Sequence, residues 1–317
     1  MDKLDWILII VFALAAIAVL GWVWAMFTIS YILFVMHLKR NKKEKWSRED
    51  EGENELQQEM YRRGRAWSAA NISYKKDVHI VNDGLNLYGE YYDFGNDKAV
   101  IMVPGRTDSL TYSYYFADVY AESGYNILTI DLRAHGESDG IYNTFGHEES
   151  GDIIKWAEYI HDNYGVKSVI IHSLCIGAAG GMYAVTDERC PDYLKAIITE
   201  GMYTTFYETF KNHAVHLGYK DWPVINVMDV WAKKYIKHTI HSGPIDVIHK
   251  CKKAILMIQG REDVFSLPEK AVTLYEKCGS EHKKLVWFEK GEHSMLKIND
   301  EAGYNKAISE FLLELNY

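Results

Sequence analysis

The segment 168–181 reads Ser-Val-Ile-Ile-His-Ser-Leu-Cys-Ile-Gly-Ala-Ala-Gly-Gly, and it constrains the fold of this chain strongly. An apolar, β-branched run ends in small residues, then come Cys175, Gly177 and a stretch of small residues that suits a helix. This order predicts a strand that turns sharply into a helix and presents a nucleophile at the turn. The usual pattern is Gly-x-Ser-x-Gly, whereas this chain has Ser173-x-Cys175-x-Gly177. The nucleophile would therefore be a thiol.

Around this turn, apolar β-type runs alternate with amphipathic segments. Two β-type segments come first, Asp77–Asn82 and Leu85–Phe94, and the pair Asp83-Gly84 between them indicates a hairpin. Further strands are predicted over 99–103, 126–130, 168–174, 196–199, 254–258 and 284–288, and helices over 109–123, 149–164, 176–185, 268–278 and 301–315. The alternation predicts an α/β fold, a mostly parallel eight-stranded sheet with helices on both faces.

The ends of the predicted strands carry residues suited to acyl chemistry. Ligands bind beyond the carboxyl ends of the strands in sheets of this kind. Cys175 follows the fifth strand, Asp263 the seventh and His293 the eighth. A histidine can accept the proton of a nucleophile and return it to a leaving group, while a carboxylate orients the imidazole. Glu262 and Glu200, which ends the sixth strand, are alternative acids.

This order of nucleophile, acid and histidine resembles the α/β-hydrolase superfamily over residues 76–317. The segments Asp-Leu-Arg-x-His-Gly-x-Ser at 131–138 and Gly-x-x-Asp at 260–263 resemble its serine aminopeptidase-like and lysophospholipase-like branch. The resemblance implies that the backbone N–H groups of Arg106 and Ile176 form an oxyanion hole. It also implies a small helical cap, inserted at about residues 203–250.

The cap segment is rich in aromatic residues, and four of them are predicted to bind substrate: Tyr203, Phe206, Phe210 and Trp231. They would form an apolar acyl pocket or pack the cap onto the core, and the sequence does not separate the two. Arg106 could steer an anionic substrate, and His135 is expected to have a structural role.

Cysteine at this turn widens the range of reactions. It is known in dienelactone hydrolases, polyhydroxyalkanoate synthases and the bile acid-CoA:amino acid N-acyltransferase, and the last resembles this chain locally through Ser-x-Cys-x-Gly. The predicted function is an acyl hydrolase, esterase-like or thioesterase-like, that forms a covalent thioacyl-enzyme through Cys175, His293 and Asp263. An acyltransferase using the same thiol and a non-catalytic scaffold that binds a ligand or partner remain open. No metal and no cofactor is expected.

The chain carries no charged residue from Trp6 to Met36. This run exceeds the ~20 residues that span a bilayer as a helix and the ~15 residues of the longest signal-peptide cores. Residues 1–38 are therefore predicted to be a transmembrane anchor, residues 39–75 a charged helical linker, and residues 76–317 the enzyme domain. Six basic residues follow the span, namely Lys39, Arg40, Lys42, Lys43, Lys45 and Arg48. By the positive-inside rule the enzyme domain should face the cytoplasm.

The charge composition of the chain limits the classes of partner that it can be expected to bind. The formal net charge is -9, and no basic stretch alternates with aromatic residues in the enzyme domain, so nucleic acid is not an expected partner. The expected partners are the membrane and a small acyl compound, lipidic or membrane-proximal. Four cysteines in 317 residues do not indicate a disulfide scaffold, and Cys190, Cys251 and Cys278 are predicted to be free thiols.

Overall fold

An eight-stranded sheet lies at the centre of the protein, in the order β1-β2-β4-β3-β5-β6-β7-β8. The computed structural model describes residues 2–40, 46, 54–220 and 223–315. β2 runs antiparallel to both β1 and β4, and the remaining pairs are parallel. The strands are β1 (Lys75–Asn82), β2 (Leu85–Tyr92), β3 (Lys98–Val103), β4 (Asn126–Ile130), β5 (Ser168–Leu174), β6 (Leu194–Glu200), β7 (Ala254–Gly260) and β8 (Lys283–Phe288). The predicted fold class is confirmed.

Helices cover both faces of this sheet, and hydrophobic cores lie on either side of it. One core includes Trp156 and Met182, and the other includes Phe116 and Phe311. The helices are α1 (Lys3–Leu38), α2 (Glu55–Ala70), α3 (Leu110–Ser113), α4 (Asp118–Glu122), α5 (His147–Tyr164), α6 (Ile176–Thr186), α7 (Phe206–His216), α8 (Val224–Tyr235), α9 (Pro268–Lys277), α10 (Leu296–Asn299) and α11 (Glu301–Glu314).

The predicted helix over 109–123 is two short helices, α3 and α4. A 3₁₀ turn, Tyr114–Phe116, separates them. All three of its aromatic side chains are buried, and Tyr114 donates a hydrogen bond of 2.6 Å to the buried Glu90. The 3₁₀ turn therefore carries three consecutive aromatic side chains into the same hydrophobic core.

α2 is part of the folded domain, although its sequence is charged. Met60, Tyr61, Gly64 and Ser68 form its buried face. A Cβ at Gly64 would lie 2.8 Å from the backbone nitrogen of Tyr115, so the helix approaches the domain very closely. Residues 41–45 and 47–53 of the predicted linker lie outside the described residues, and so do the basic residues Lys42, Lys43, Lys45 and Arg48.

α1 is 36 residues long and, within the described parts of the chain, is the one helix long and apolar enough to cross a membrane. Asp2 caps its start by accepting hydrogen bonds from the backbone of Leu4 and Asp5. Its far end is fixed to the enzyme domain, because Arg40 donates to the backbone oxygens of Ser138 and Gly136, both at 2.5 Å. The chain that leaves α1 is therefore held against the loop that follows β4.

The cap lies between β6 and β7 and contains α7 and α8. Thr205 caps α7 by accepting a hydrogen bond from the backbone of Glu208. α8 packs its Ile225–Met228 side toward the core, where both side chains are buried. This segment follows the carboxyl end of β6, so the cap covers the edge of the sheet at which the candidate catalytic residues lie.

Candidate active site

Cys175 lies between the central strand β5 and helix α6, on a strained turn. Its backbone has φ 50° and ψ -112°, a region that non-glycine residues rarely occupy. The strain is tolerated because the strand before and the helix after are both buried. The backbone N–H of Cys175 also donates to the backbone oxygen of Glu200 at 3.0 Å. The turn thus lifts the thiol out of the sheet toward the cap.

Gly177 is the residue that lets α6 approach β3. A Cβ at this position would lie 2.4 Å from the backbone oxygen of Pro104 and 2.7 Å from that of Val103. Neither backbone atom can move without disturbing the sheet. The glycine of the sequence motif is therefore required for the packing of α6 against β3 beside Cys175.

We expect Gly177→Ala to lower the free energy of unfolding by about 3 kcal/mol, because an inserted methyl group collides with fixed backbone. Gly180→Ala, on the same helix, is the matched control. The nearest atoms to its new Cβ are 3.4 Å away, and alanine favours a helix, so its stability should stay within about 1 kcal/mol of wild type. Urea unfolding of the two variants measures this, and equal losses would contradict the packing argument.

Ser173 replaces the usual first glycine of the motif, and the structure accommodates it. Its side chain is buried, and its hydroxyl donates to the backbone oxygen of Ile198 at 3.1 Å. The Cβ that Gly181 lacks would lie 3.3 Å from that hydroxyl. One glycine in α6 thus provides the space that a serine in β5 occupies.

His293 and Asp263 are brought together from separate loops. Nδ1 of His293 lies 2.7 Å from Oδ2 of Asp263. The other carboxylate oxygen of Asp263 accepts hydrogen bonds from the backbone of Phe265 and Ser266, at 2.9 and 2.8 Å. These bonds fix the carboxylate, and the carboxylate in turn fixes the imidazole ring.

The remaining ring nitrogen of His293 is directed at the thiol. Nε2 is buried and has no hydrogen-bond partner among the residues that the structure describes. Burial lowers the pKa of His293, but the neighbouring Asp263 and Cys175 outweigh it and hold the pKa well above its usual value. Burial raises the pKa of Asp263, but His293 and the two backbone N–H groups outweigh it and hold that pKa below its usual value. Each member of the pair therefore stabilises the charged form of the other.

The two alternative acids of the sequence lie elsewhere. Glu262 accepts a hydrogen bond from the backbone of Gly291 at 3.1 Å. Glu200 is fully buried and accepts a hydrogen bond of 2.6 Å from the hydroxyl of Tyr304. Burial raises the pKa of Glu200 to about 7. Asp263 is the carboxylate that the structure places on the imidazole.

The loop after β3 approaches Cys175 from the other side. The Cβ that Gly105 lacks would lie 3.7 Å from Cβ of Cys175, so the adjoining backbone of Arg106 lies next to the turn. Ile176 directly follows Cys175 at the start of α6. Their backbone N–H groups are the two predicted oxyanion donors, and both belong to segments beside the thiol.

His135 supports this loop rather than the chemistry. Its Nε2 accepts a hydrogen bond of 3.2 Å from the backbone N–H of Thr107, and its Nδ1 lies 2.9 Å from the backbone oxygen of Arg133. Nδ1 therefore carries the hydrogen, and the ring is neutral. Burial lowers the pKa of His135 to about 4, which keeps Nε2 available as an acceptor.

A pocket opens above Cys175 and His293. Three of the four predicted substrate-binding aromatics line it, Tyr203, Phe206 and Phe210. The structure places the fourth, Trp231, elsewhere. The Trp231 ring packs against Tyr31 of α1 at 5.0 Å between centroids, because it lies on the face of α8 that covers the anchor helix.

The sequence does not predict some of the residues that line this pocket. Gln57 of α2 and His213 of α7 line the pocket, and so does Tyr112, whose hydroxyl donates to the backbone oxygen of Ser294 at 2.6 Å. No local motif marks any of them, since each reaches the pocket through long-range packing. Across residues 2–40, 46, 54–220 and 223–315, no group of three or more His, Cys, Asp or Glu side chains is placed to hold a metal ion.

Comparisons with known proteins agree with this fold. Residues 98–218 match the family model described as alpha/beta hydrolase fold. An uncharacterized protein of Bacillus subtilis, YqkD, is 27% identical over 69% of this chain and 72% of its own length. An uncharacterized membrane protein of Saccharomyces cerevisiae, YNL320W, is 21% identical over 78% of this chain and 82% of its own.

Solved structures share the fold. The esterase Pf2001 of Pyrococcus furiosus superposes with a TM-score of 0.66 at 22% identity, covering 78% of this chain and 94% of the esterase. The α/β-hydrolase GrgF of a Penicillium species superposes with a TM-score of 0.60 at 18% identity, covering 76% of this chain and 98% of its own. The order of the strands, the turn at Cys175 and the match over residues 98–218 together show that this chain has the α/β-hydrolase fold.

Proposed function

We propose that this protein is a membrane-anchored acyl hydrolase in which Cys175 is the nucleophile, His293 the acid and base, and Asp263 the group that orients His293. One observation carries the proposal. A buried Nε2 of His293 without a hydrogen-bond partner among the described residues faces a cysteine on a strained turn, while Nδ1 is held by Asp263 at 2.7 Å. A structural histidine has no need of such an arrangement.

The first half of the reaction forms the acyl-enzyme. Nε2 of His293 accepts the proton of the Cys175 thiol, and the resulting thiolate, which is the reactive form of a cysteine, attacks the acyl carbon. The oxyanion that develops accepts hydrogen bonds from the backbone N–H groups of Arg106 and Ile176. The bond to the leaving group then breaks, and Nε2 of His293 donates its proton to that group.

The second half regenerates the thiol. Neutral His293 accepts a proton from a water molecule, and the resulting hydroxide attacks the thioester carbon. The bond between sulfur and the acyl carbon breaks, the carboxylic acid leaves, and the proton on Nε2 of His293 returns to sulfur, which restores the thiol. An amine in place of water would complete an acyl transfer through the same intermediate.

The location follows from α1. We place α1 across the membrane and the enzyme domain on the cytoplasmic side, because the basic residues Lys39 and Arg40 follow the span. A thiol reagent that cannot cross membranes should label the half-buried Cys190 only after the cells are opened. Labelling of Cys190 in intact cells would show that the domain lies outside the cytoplasm and would contradict the proposed orientation.

The function is tested by intact mass after mixing the full chain in detergent with an acyl thioester. We expect one acyl adduct, mapped by peptide analysis to Cys175. Cys190 is the matched control, because both thiols are free and half-buried. An adduct spread equally over the two cysteines, or no adduct and no turnover with acyl chains of several lengths, would contradict the proposed enzyme.

A further inference from the structure

The anchor helix α1 has two parts with different surroundings. Its 36 residues correspond to about 54 Å of helix, whereas the hydrocarbon core of a bilayer is about 30 Å thick. Every side chain from residue 3 to residue 24 is exposed. Beyond them Met26, Ser30, Phe34 and Leu38 are buried, and their spacing of four places them on one face. The first part, residues 3–24, is therefore available to span the membrane, whereas the second part, from residue 26 to residue 38, packs against the rest of the protein.

The second part of α1 lies alongside cap helix α8, and the two helices run in the same direction. From the start to the end of each helix, Phe27 contacts Trp231 at 6.1 Å and then Phe34 contacts Tyr235 at 5.6 Å between ring centroids. Nε1 of Trp231 also donates to Oγ of Ser30 at 2.9 Å. The start of α8 therefore points toward the bilayer.

Because α8 runs in the same direction as α1, the position of its first residue along α1 can be estimated. Val224, the first residue of α8, precedes Trp231 by about two helical turns, or roughly 10 Å. It therefore reaches the level of Trp22, within the exposed part of α1. Lys220 is four residues before Val224, and four residues span at most about 14 Å, so the end of the segment that follows α7 lies near that level.

That segment carries exposed apolar side chains, and we name residues 215–220 the cap tip. Val215 is 53% exposed, Leu217 58% and Tyr219 69%. Lys220, which ends the cap tip, is exposed as well. Apolar and aromatic side chains beside a lysine are the composition that suits the boundary between lipid headgroups and acyl chains.

We propose that the cap tip inserts into the membrane beside α1, and that a lipid-borne acyl substrate enters the catalytic pocket from the bilayer along α7. One face of α7 lines the pocket through Phe206, Phe210 and His213. The same helix then ends at the cap tip. One face of α7 would thus form the whole route from the lipid to the thiol of Cys175. This inference rests on the proposed membrane span and the proposed acyl hydrolase activity.

The membrane contact is tested with the full chain in nanodiscs of phosphatidylcholine and phosphatidylglycerol. A benzophenone amino acid replaces Tyr219, and after illumination lipid adducts are sought by mass spectrometry. Leu313 is the control position, since it is 75% exposed on α11. The end of α11 pairs through Glu314 with His282, just before β8, at the sheet edge away from the cap. We expect lipid adducts at 219 and none at 313. Equal adducts at both positions, or adducts only to protein at 219, would overturn the contact.

The route is tested by the double substitution Leu217→Asp and Tyr219→Asp. We expect turnover of a long-chain acyl thioester held in the nanodisc to fall about tenfold, and turnover of a short, water-soluble thioester to change less than about twofold. Leu313→Asp should change neither. Equal losses for both substrates would overturn the route. If wild type turns over neither substrate, the proposed hydrolase fails, while the lipid adduct still decides the membrane contact.

Discussion

Replacement of Cys175 by alanine is expected to lower kcat/KM for acyl esters and thioesters by about 1000-fold or more. The substitution removes the atom that forms the acyl-enzyme and leaves only binding and oxyanion stabilisation. Stability should change little, since the backbone at φ 50° strains alanine and cysteine alike. Steady-state assays with acyl esters and with acyl thioesters measure kcat/KM. Thermal unfolding checks that the variant retains the fold.

Two further variants sharpen this experiment. Cys190→Ala removes a half-buried thiol away from the pocket and should retain wild-type rates. Cys175→Ser keeps a nucleophilic atom, but its hydroxyl must lose a proton to His293 during attack, so activity should fall between wild type and Cys175→Ala. Activity of Cys175→Ala within tenfold of wild type would exclude a thioacyl-enzyme and favour a scaffold that only binds its ligand.

The sheet could be predicted from the sequence because its strands are buried on both faces. Such strands appear as short apolar runs, and β5, β6 and β7 contain little else. The residues that follow these runs then fall at one edge of the sheet by topology alone. For this reason the turn at Cys175 and the contact between His293 and Asp263 could be anticipated from a single chain.

The packing of the anchor and of α2 could not be predicted in the same way. α1 is apolar all round, so the buried stripe of Met26, Ser30, Phe34 and Leu38 is not distinguished from its exposed neighbours by composition. α2 has the opposite problem, because a charged helix gives no sign that Tyr61 is buried. The prediction that Trp231 lines the pocket is wrong for the same reason, since aromatic content does not reveal which face of a helix meets which neighbour.

Asp263→Asn is expected to lower kcat/KM by about 1000-fold to 10000-fold, although the side chain changes by a single group. The backbone N–H groups of Phe265 and Ser266 donate to one oxygen of Asp263. The carbonyl oxygen of asparagine must take that position, so its NH₂ group faces Nδ1 of His293. Nδ1 then becomes an acceptor and Nε2 carries the hydrogen, which prevents Nε2 from accepting a proton during the reaction.

The pH dependence of the same variant provides a second readout. Asp263 raises the pKa of His293, so its loss lowers that pKa. If protonated His293 is the acid that releases the leaving group, the alkaline limb of kcat/KM must move to lower pH in the variant. Glu262→Gln is the matched control, because Glu262 is the neighbouring carboxylate and binds only the loop at Gly291 in the described contacts. It should retain activity within about threefold and leave the limb in place. An equal loss in both variants would mean that the loop, and not the orientation of His293, limits the reaction.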